Sequence, residues 1–84
     1  GSKEAGTVAV ESPLVGIFYT APSPGAEPFV AVGAKVEPDT VIGIVEAMKV
    51  MNEIRAECAG TVTAVPVEAG QAVEYGQVLC RIRP

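Results

Sequence analysis

Sliding the chain along itself by 37 residues brings Gly33 onto Gly70, Val36 onto Val73, Glu37 onto Glu74, Val41 onto Val78, Ile42 onto Leu79 and Val45 onto Ile82, with no gap. Such self-similarity implies two copies of one unit packed about a pseudo-twofold axis, each supplying half of a shared core. The 84 residues suffice for one domain at most, and a single core of that size is only marginally sufficient. Nine Gly and seven Pro cut the chain into short pieces, so no helical stripe of ten residues survives. An all-β sandwich or barrel built on Val, Ile, Leu and Ala follows, with two Phe, two Tyr and no Trp.

The copies differ in one place. Gly16 to Gly33 spans 17 residues and the matching step from Gly60 to Gly70 spans 10, so the first copy carries seven more (17 − 10). They fall on Thr20-Ala21-Pro22-Ser23-Pro24-Gly25-Ala26-Glu27-Pro28, where three prolines forbid a central strand and make a stiff, protruding loop. The shared fold does not require an insertion found in one copy only. Both a neutral surface connection and a loop with a function of its own stay open on the sequence.

Period-2 alternation marks the strands. Thr7 to Ser12 and Gly16 to Tyr19 come first, then Val41 to Ala47 and Val50 to Ala56, then Gly60 to Pro66 and Val78 to Arg83, with a short extended piece at Ala72 and Val73. Turns fall at 68–70 and 75–76. Gly1 and Ser2 resemble a cloning remnant, and residues 1–6 are expected to form a mobile tail ahead of one domain over 7–84.

Two strands meet at Met48 and Lys49. A two-residue loop there predicts that Ala47 faces Val50, Val45 faces Asn52, Gly43 faces Ile54 and Val41 faces Ala56, with this face toward the core. Glu46, Met51, Glu53 and Arg55 then face water. The twist-matched two-residue turns need positive φ and favour Asn-Gly or Asp-Gly, whereas Met-Lys offers neither Gly nor Asn. A local rule broken at a tip that holds a thioether and an amine points to function. The repeat relates this hairpin to a pairing of the two chain ends, which should lie together and opposite Lys49.

The residue inventory narrows the chemistry. Six basic and ten acidic residues give a net charge of −4, which disfavours phosphate backbones and anionic lipid, so neither nucleic acid nor membrane is an expected partner. Val41 to Val45 is too short to cross a bilayer and no signal peptide is visible. With no His there is no imidazole relay, and with two Cys and no CxxC there is no zinc site. The 22-residue spacing of Cys58 and Cys80 allows a structural disulfide, but the preferred reading is two small, buried thiols in a reducing compartment. The carboxylates are scattered and no phosphate-binding loop is present, so the chain is not expected to be an enzyme in its own right. A carrier needs less: one nucleophilic group on a rigid tip that another enzyme can find. Lys49 fits that need, and Met48 and Met51 beside it offer soft apolar contacts to a visiting partner. An exposed ammonium does not activate itself, so that enzyme must bring the base and an activated acyl donor. Acylation would take the net charge from −4 to −5.

Glu46-Ala47-Met48-Lys49 followed by Val50-Met51 resembles the Glu-Ala-Met-Lys-Met-Met signature of biotin carboxyl carrier domains, and the likeness covers about residues 11–83. Val50 departs from the usual Met. The proline-rich insertion over about 20–28 looks like the thumb found in the carriers of bacterial and plastid acetyl-CoA carboxylase. The resemblance implies a flattened sandwich of two four-stranded antiparallel sheets, with biotin amide-linked to Lys49 by biotin protein ligase and Glu46, Ala47, Met48, Val50 and Met51 read by its partners. It further implies loading of carboxylate by biotin carboxylase and its transfer by carboxyltransferase to acetyl-CoA, giving malonyl-CoA for fatty acid synthesis. The setting would be the cytoplasm, or the plastid stroma in a plant. Two other readings are a lipoyl domain, whose lysine usually follows Asp and precedes Ala, and an unmodified interaction module that uses the Met-rich hairpin for docking.

Overall fold

The computed structural model describes residues 6–23 and 25–84. Most of the expected tail and Pro24 of the loop therefore lie outside the described residues. Among the described residues eight strands follow in order: β1 (Val8–Glu11), β2 (Gly16–Tyr19), β3 (Lys35–Val36), β4 (Val41–Ala47), β5 (Val50–Arg55), β6 (Gly60–Ala64), β7 (Gln71–Val73) and β8 (Val78–Arg83). They form two four-stranded antiparallel sheets, in the orders β1-β8-β6-β3 and β5-β4-β2-β7. The sheets bury one cluster between them, with Phe18, Val45, Leu79, Cys80 and Ile82 fully enclosed.

The internal repeat reappears in the hydrogen bonds. The 37-residue offset turns β3 and β4 into β7 and β8, and an offset of 44 turns β2 into β6, so the two sheet orders are the same order written twice. In the turn before β4, Thr40 N–H donates to the Glu37 carbonyl and Glu37 N–H to Thr40 Oγ1. In the turn before β8, Gln77 N–H donates to the Glu74 carbonyl and Glu74 N–H to Gln77 Oε1. Likewise Gly33 N–H reaches the Val62 carbonyl as Gly70 N–H reaches that of Phe18. The pairing of β1 with β8 joins the chain ends, as the symmetry requires of the counterpart of the β4–β5 hairpin.

One packing exchange separates the copies. Phe18 fills the first half and Val62 the equivalent place in the second. The larger ring is accommodated because Gly43 lies beneath it: a Cβ there would overlap the ring and sit 3.0 Å from the Tyr19 carbonyl. The equivalent of Gly43 is Cys80, fully buried in the same cluster as Val62, so the smaller branched side chain is matched with a larger residue at the facing position.

Three expectations need correction. Val41 faces Arg55 and not Ala56, because Ile42 is an extra residue on β4 between the Val41 and Gly43 pairings. That bulge shifts the parity and turns Ile42 into the core, while Ala56 N–H bonds to the Thr40 carbonyl. The outer face of the hairpin is not uniformly wet either, since Ile44, set between Tyr19 and Glu53 in the register, is buried outside the main cluster. Of the two free thiols, Cys80 is buried but Cys58 only half-buried. Strand ends also move slightly. β1 stops at Glu11, and the buried Ser12 turns its hydroxyl to the Leu14 carbonyl at 2.6 Å. β6 stops at Ala64, short of Pro66.

Candidate functional site

The β4–β5 hairpin runs in unbroken register from the Gly43–Ile54 pair to Ala47–Val50, which leaves Met48 and Lys49 as a two-residue turn. Both residues have positive φ, 53° and 66°. That is the sign a twist-matched hairpin turn demands, adopted here by two L-residues that bear a Cβ. The turn stands clear of the sandwich: Met48 is 95% exposed, Lys49 is exposed, and Val50 and Met51 are 56% and 53% exposed. A flexible amine is thus carried on a stiff ladder and rimmed by apolar side chains that the core has not taken. Such a patch around a single primary amine suits recognition by a visiting protein.

Below the turn the two faces of the hairpin differ. On the outer face Glu46 pairs with Met51. Ala47 is half-buried at the end of β4, and Gly16 lets β2 lie close by, since a Cβ there would overlap the Glu46 carbonyl. At the other end of β2, Tyr19 reaches diagonally toward Glu46. The Tyr19 phenol is pushed above its ordinary value by partial desolvation, then by the Glu46 charge and by the hydrogen bond it donates to that carboxylate. On the inner face Asn52 Nδ2 donates to the carbonyls of Val45 at 3.3 Å and Val50 at 3.1 Å. At the base, Arg55 pairs with Glu53 at 3.1 Å and donates to the Asp39 carbonyl at 3.2 Å.

The insertion begins directly after Tyr19. Phe29 N–H donates to the Thr20 carbonyl at 2.8 Å, closing its neck, and Ala26 N–H donates to the Ser23 carbonyl at 3.1 Å, making its tip. Thr20, Ala21, Pro22, Ser23, Gly25 and Ala26 form one wall of a cleft of about 510 Å³. Glu46 and Met51 form its floor with Tyr19, and Ala69 and Gly70 close the far side. Glu27 does not line it. The cleft therefore opens at the second residue pair below the turn, on the outer face of the hairpin. A larger groove of about 660 Å³ runs along β1 and β5 and takes in neither Lys49 nor the insertion. Among the described residues there is no cluster of three or more His, Cys, Asp or Glu fit to hold a metal. Nor, among the same residues, is any helix long and apolar enough to cross a membrane.

A family model described as "Biotin-requiring enzyme", of the biotin/lipoyl type, matches residues 4–82. The chain belongs to the biotin/lipoyl family. Among curated relatives of this biotin/lipoyl domain, the biotin carboxyl carrier protein of acetyl-CoA carboxylase from Nostoc sp. is 49% identical over 75 residues, 89% of this chain and 41% of that protein. Its namesake from Streptococcus pyogenes is 51% identical over 74 residues, 88% of this chain and 45% of its own length. The one from Pseudomonas aeruginosa is 51% identical over 73 residues, 87% and 47%. The chain thus spans less than half the length of these relatives. A solved single-chain, multi-domain long-chain acyl-CoA carboxylase superposes on all of it with a TM-score of 0.81, at 24% identity and over 8% of that much longer chain, which shows a shared fold. These relatives are carrier proteins by name.

Sequence reasoning singled out Glu46 to Met51 and the insertion but passed over four residues of the arrangement. Tyr19, Ala69 and Gly70 complete the cleft from distant stretches of chain, and nothing in their local sequence marks them. Asn52 did leave a signal, a polar residue at an inward position of an apolar alternation.

Proposed function

We propose that this chain is a biotin carboxyl carrier domain, acting as a unit over residues 7–84, in which Lys49 Nζ holds biotin in amide linkage. The observation that carries the reading is the exposed amine at the apex of a left-handed two-residue turn, in a chain about half identical to carrier proteins of acetyl-CoA carboxylase. When bound, the group supplies a ureido nitrogen that takes up and gives back a carboxylate. Everything else falls to the chain.

Lys49 places the tether where no wall of the sandwich obstructs it. Met48, Val50 and Met51 offer apolar surface to biotin protein ligase and then to biotin carboxylase and carboxyltransferase, each of which must admit the tip in turn. Glu46 and Tyr19 hold the outer face under the tip. The cleft walled by Thr20 to Ser23, Gly25 and Ala26 has the position and the mixed apolar and polar lining to cover a small heterocycle on a long tether, which supports the fit of this group to these residues. With acetyl-CoA as acceptor the product is malonyl-CoA, and the setting is the cytoplasm or the plastid stroma.

Coexpression with biotin protein ligase followed by intact mass analysis tests the reading. One biotinyl adduct is expected on the wild-type chain and none on Lys49→Arg, which keeps the charge and the fold. A lipoyl adduct without a biotinyl one, or an adduct that survives Lys49→Arg, defeats it.

A further inference from the structure

Asn52 is the polar residue in an otherwise apolar inward alternation of the hairpin. It faces the fully buried Val45 on the inward side of the hairpin and is itself half-buried. An amide there loses hydration unless its N–H groups find acceptors. They do: Nδ2 reaches across the ladder to the Val45 carbonyl and two residues back to the Val50 carbonyl. Val50 is the residue that closes the turn against Ala47.

The internal symmetry supplies a control. The residue related to Asn52 is Val8 (52 − 44), which pairs with Ile82 as Asn52 pairs with Val45. A valine, there 43% exposed, therefore serves the sheet at this position. Only the copy that ends in a turn has the amide, and that turn holds Met48 and Lys49 at positive φ without the help of Gly, Asn or Asp. A turn of that kind lies uphill of frayed alternatives in which the closing Ala47–Val50 pair is lost.

We propose that Asn52 is a positioning residue for Lys49: by gripping the Val45 and Val50 carbonyls together it holds the turn closed, so that the amine leaves the hairpin in one fixed direction. The inference rests on Lys49 being the attachment site. Asn52 touches neither the amine nor anything attached to it and acts through the turn alone.

Asn52→Val installs the residue that the second copy uses. The thermal midpoint is expected to hold or rise, valine being a good strand former. In the same variant, backbone NMR is expected to show Met48 and Lys49 averaging away from positive φ, with the closed turn reduced to about a tenth of the population and exchange of the Val50 amide more than tenfold faster. Only the closed fraction is competent for the ligase, so the apparent affinity falls by that fraction: KM for the carrier rises roughly tenfold with kcat unchanged. Asn52→Thr, too short to reach both carbonyls, repeats the comparison should the valine variant fail to fold. Wild-type couplings and Val50 exchange in a folded variant overturn the proposal, as does a frayed turn with an unchanged KM. A wild-type chain that takes no biotin sinks the attachment reading, while the NMR comparison still judges the clamp.

Discussion

Met48→Gly should make this domain more stable and a poorer substrate at once. At φ 53° Met48 pays the left-handed penalty of an L-residue, about 1–2 kcal/mol. Glycine escapes it but gives up about 0.5–1 kcal/mol of additional chain freedom on folding. Because the Met48 side chain is 95% exposed, its removal forfeits almost no burial. The net is a gain of about 0.5–1 kcal/mol, which for a domain of this size raises the thermal midpoint by roughly 2–8 °C. Differential scanning calorimetry of the two proteins reads that shift directly. Turnover by biotin protein ligase, measured on the same samples, should fall in kcat/KM because the thioether nearest the amine has gone. A midpoint that drops would show that Met48 is not strained in solution or that its side chain packs. A rise with unchanged turnover would separate the odd turn chemistry from recognition.

Other substitutions probe the packing and the titrating groups. Phe18→Val should cost about 2–4 kcal/mol as a cavity and Gly43→Cys about 1–3 kcal/mol or more by overlap with the Phe18 ring. The double variant reproduces the Val62 and Cys80 pair of the other half, so urea unfolding should show it to be milder than the sum by more than about 1 kcal/mol; simple additivity refutes the exchange. Tyr19 titrates above 10.0, so the neutral phenol is the form that the fold prefers. The stability it contributes is whole below the unfolded value near 10.0 and is lost as pH climbs from there through the folded value. Glu46→Gln, followed by tyrosinate absorbance in a Tyr75→Phe background, should bring Tyr19 part of the way down, since desolvation is the larger cause and persists. Burial, with a lesser contribution from Cys58, pushes the Cys80 thiol from 9.0 up to about 11, so its contribution fades between those two pH values. A thiol reagent should modify Cys58 in the folded chain and Cys80 only on unfolding, and equal rates would contradict the packing.

Much of this was legible because the chain repeats itself and alternates cleanly. Gly33 and Gly70 anchor the two copies, and a two-residue loop at Met48-Lys49 fixes the register as far down as Gly43 and Ile54. Legibility fails where a single residue alters parity. Ile42 leaves no compositional trace of being a bulge, since Val41 and Ile42 suit either face, and only the ladder shows which one is extra. It fails again where a surface is assembled from afar. Ala69 and Gly70 meet Ala21 and Met51 in the cleft through the β2–β7 pairing, and that neighbour relation was not written in any one stretch.

The pseudo-twofold also sorts what the fold needs from what the site needs. Whatever both copies share, such as the paired turns at Glu37–Thr40 and Glu74–Gln77, is there to make the sandwich. Phe18 with Gly43 against Val62 with Cys80 is a difference that cancels in volume, so it has no functional weight. Three differences do not cancel. The insertion after Tyr19 has no counterpart after Thr63, Asn52 replaces a valine that would serve the sheet, and Met48-Lys49 closes a hairpin where the other copy has only the meeting of chain ends. All three lie on one hairpin or beside it. A fold built twice and departed from at one end has its working surface there, and a transplant tests this: placing the segment 46–52 on the equivalent edge, by circular permutation through the joined termini, should move ligase recognition with it, while cover of the attached group should move only if the insertion moves too.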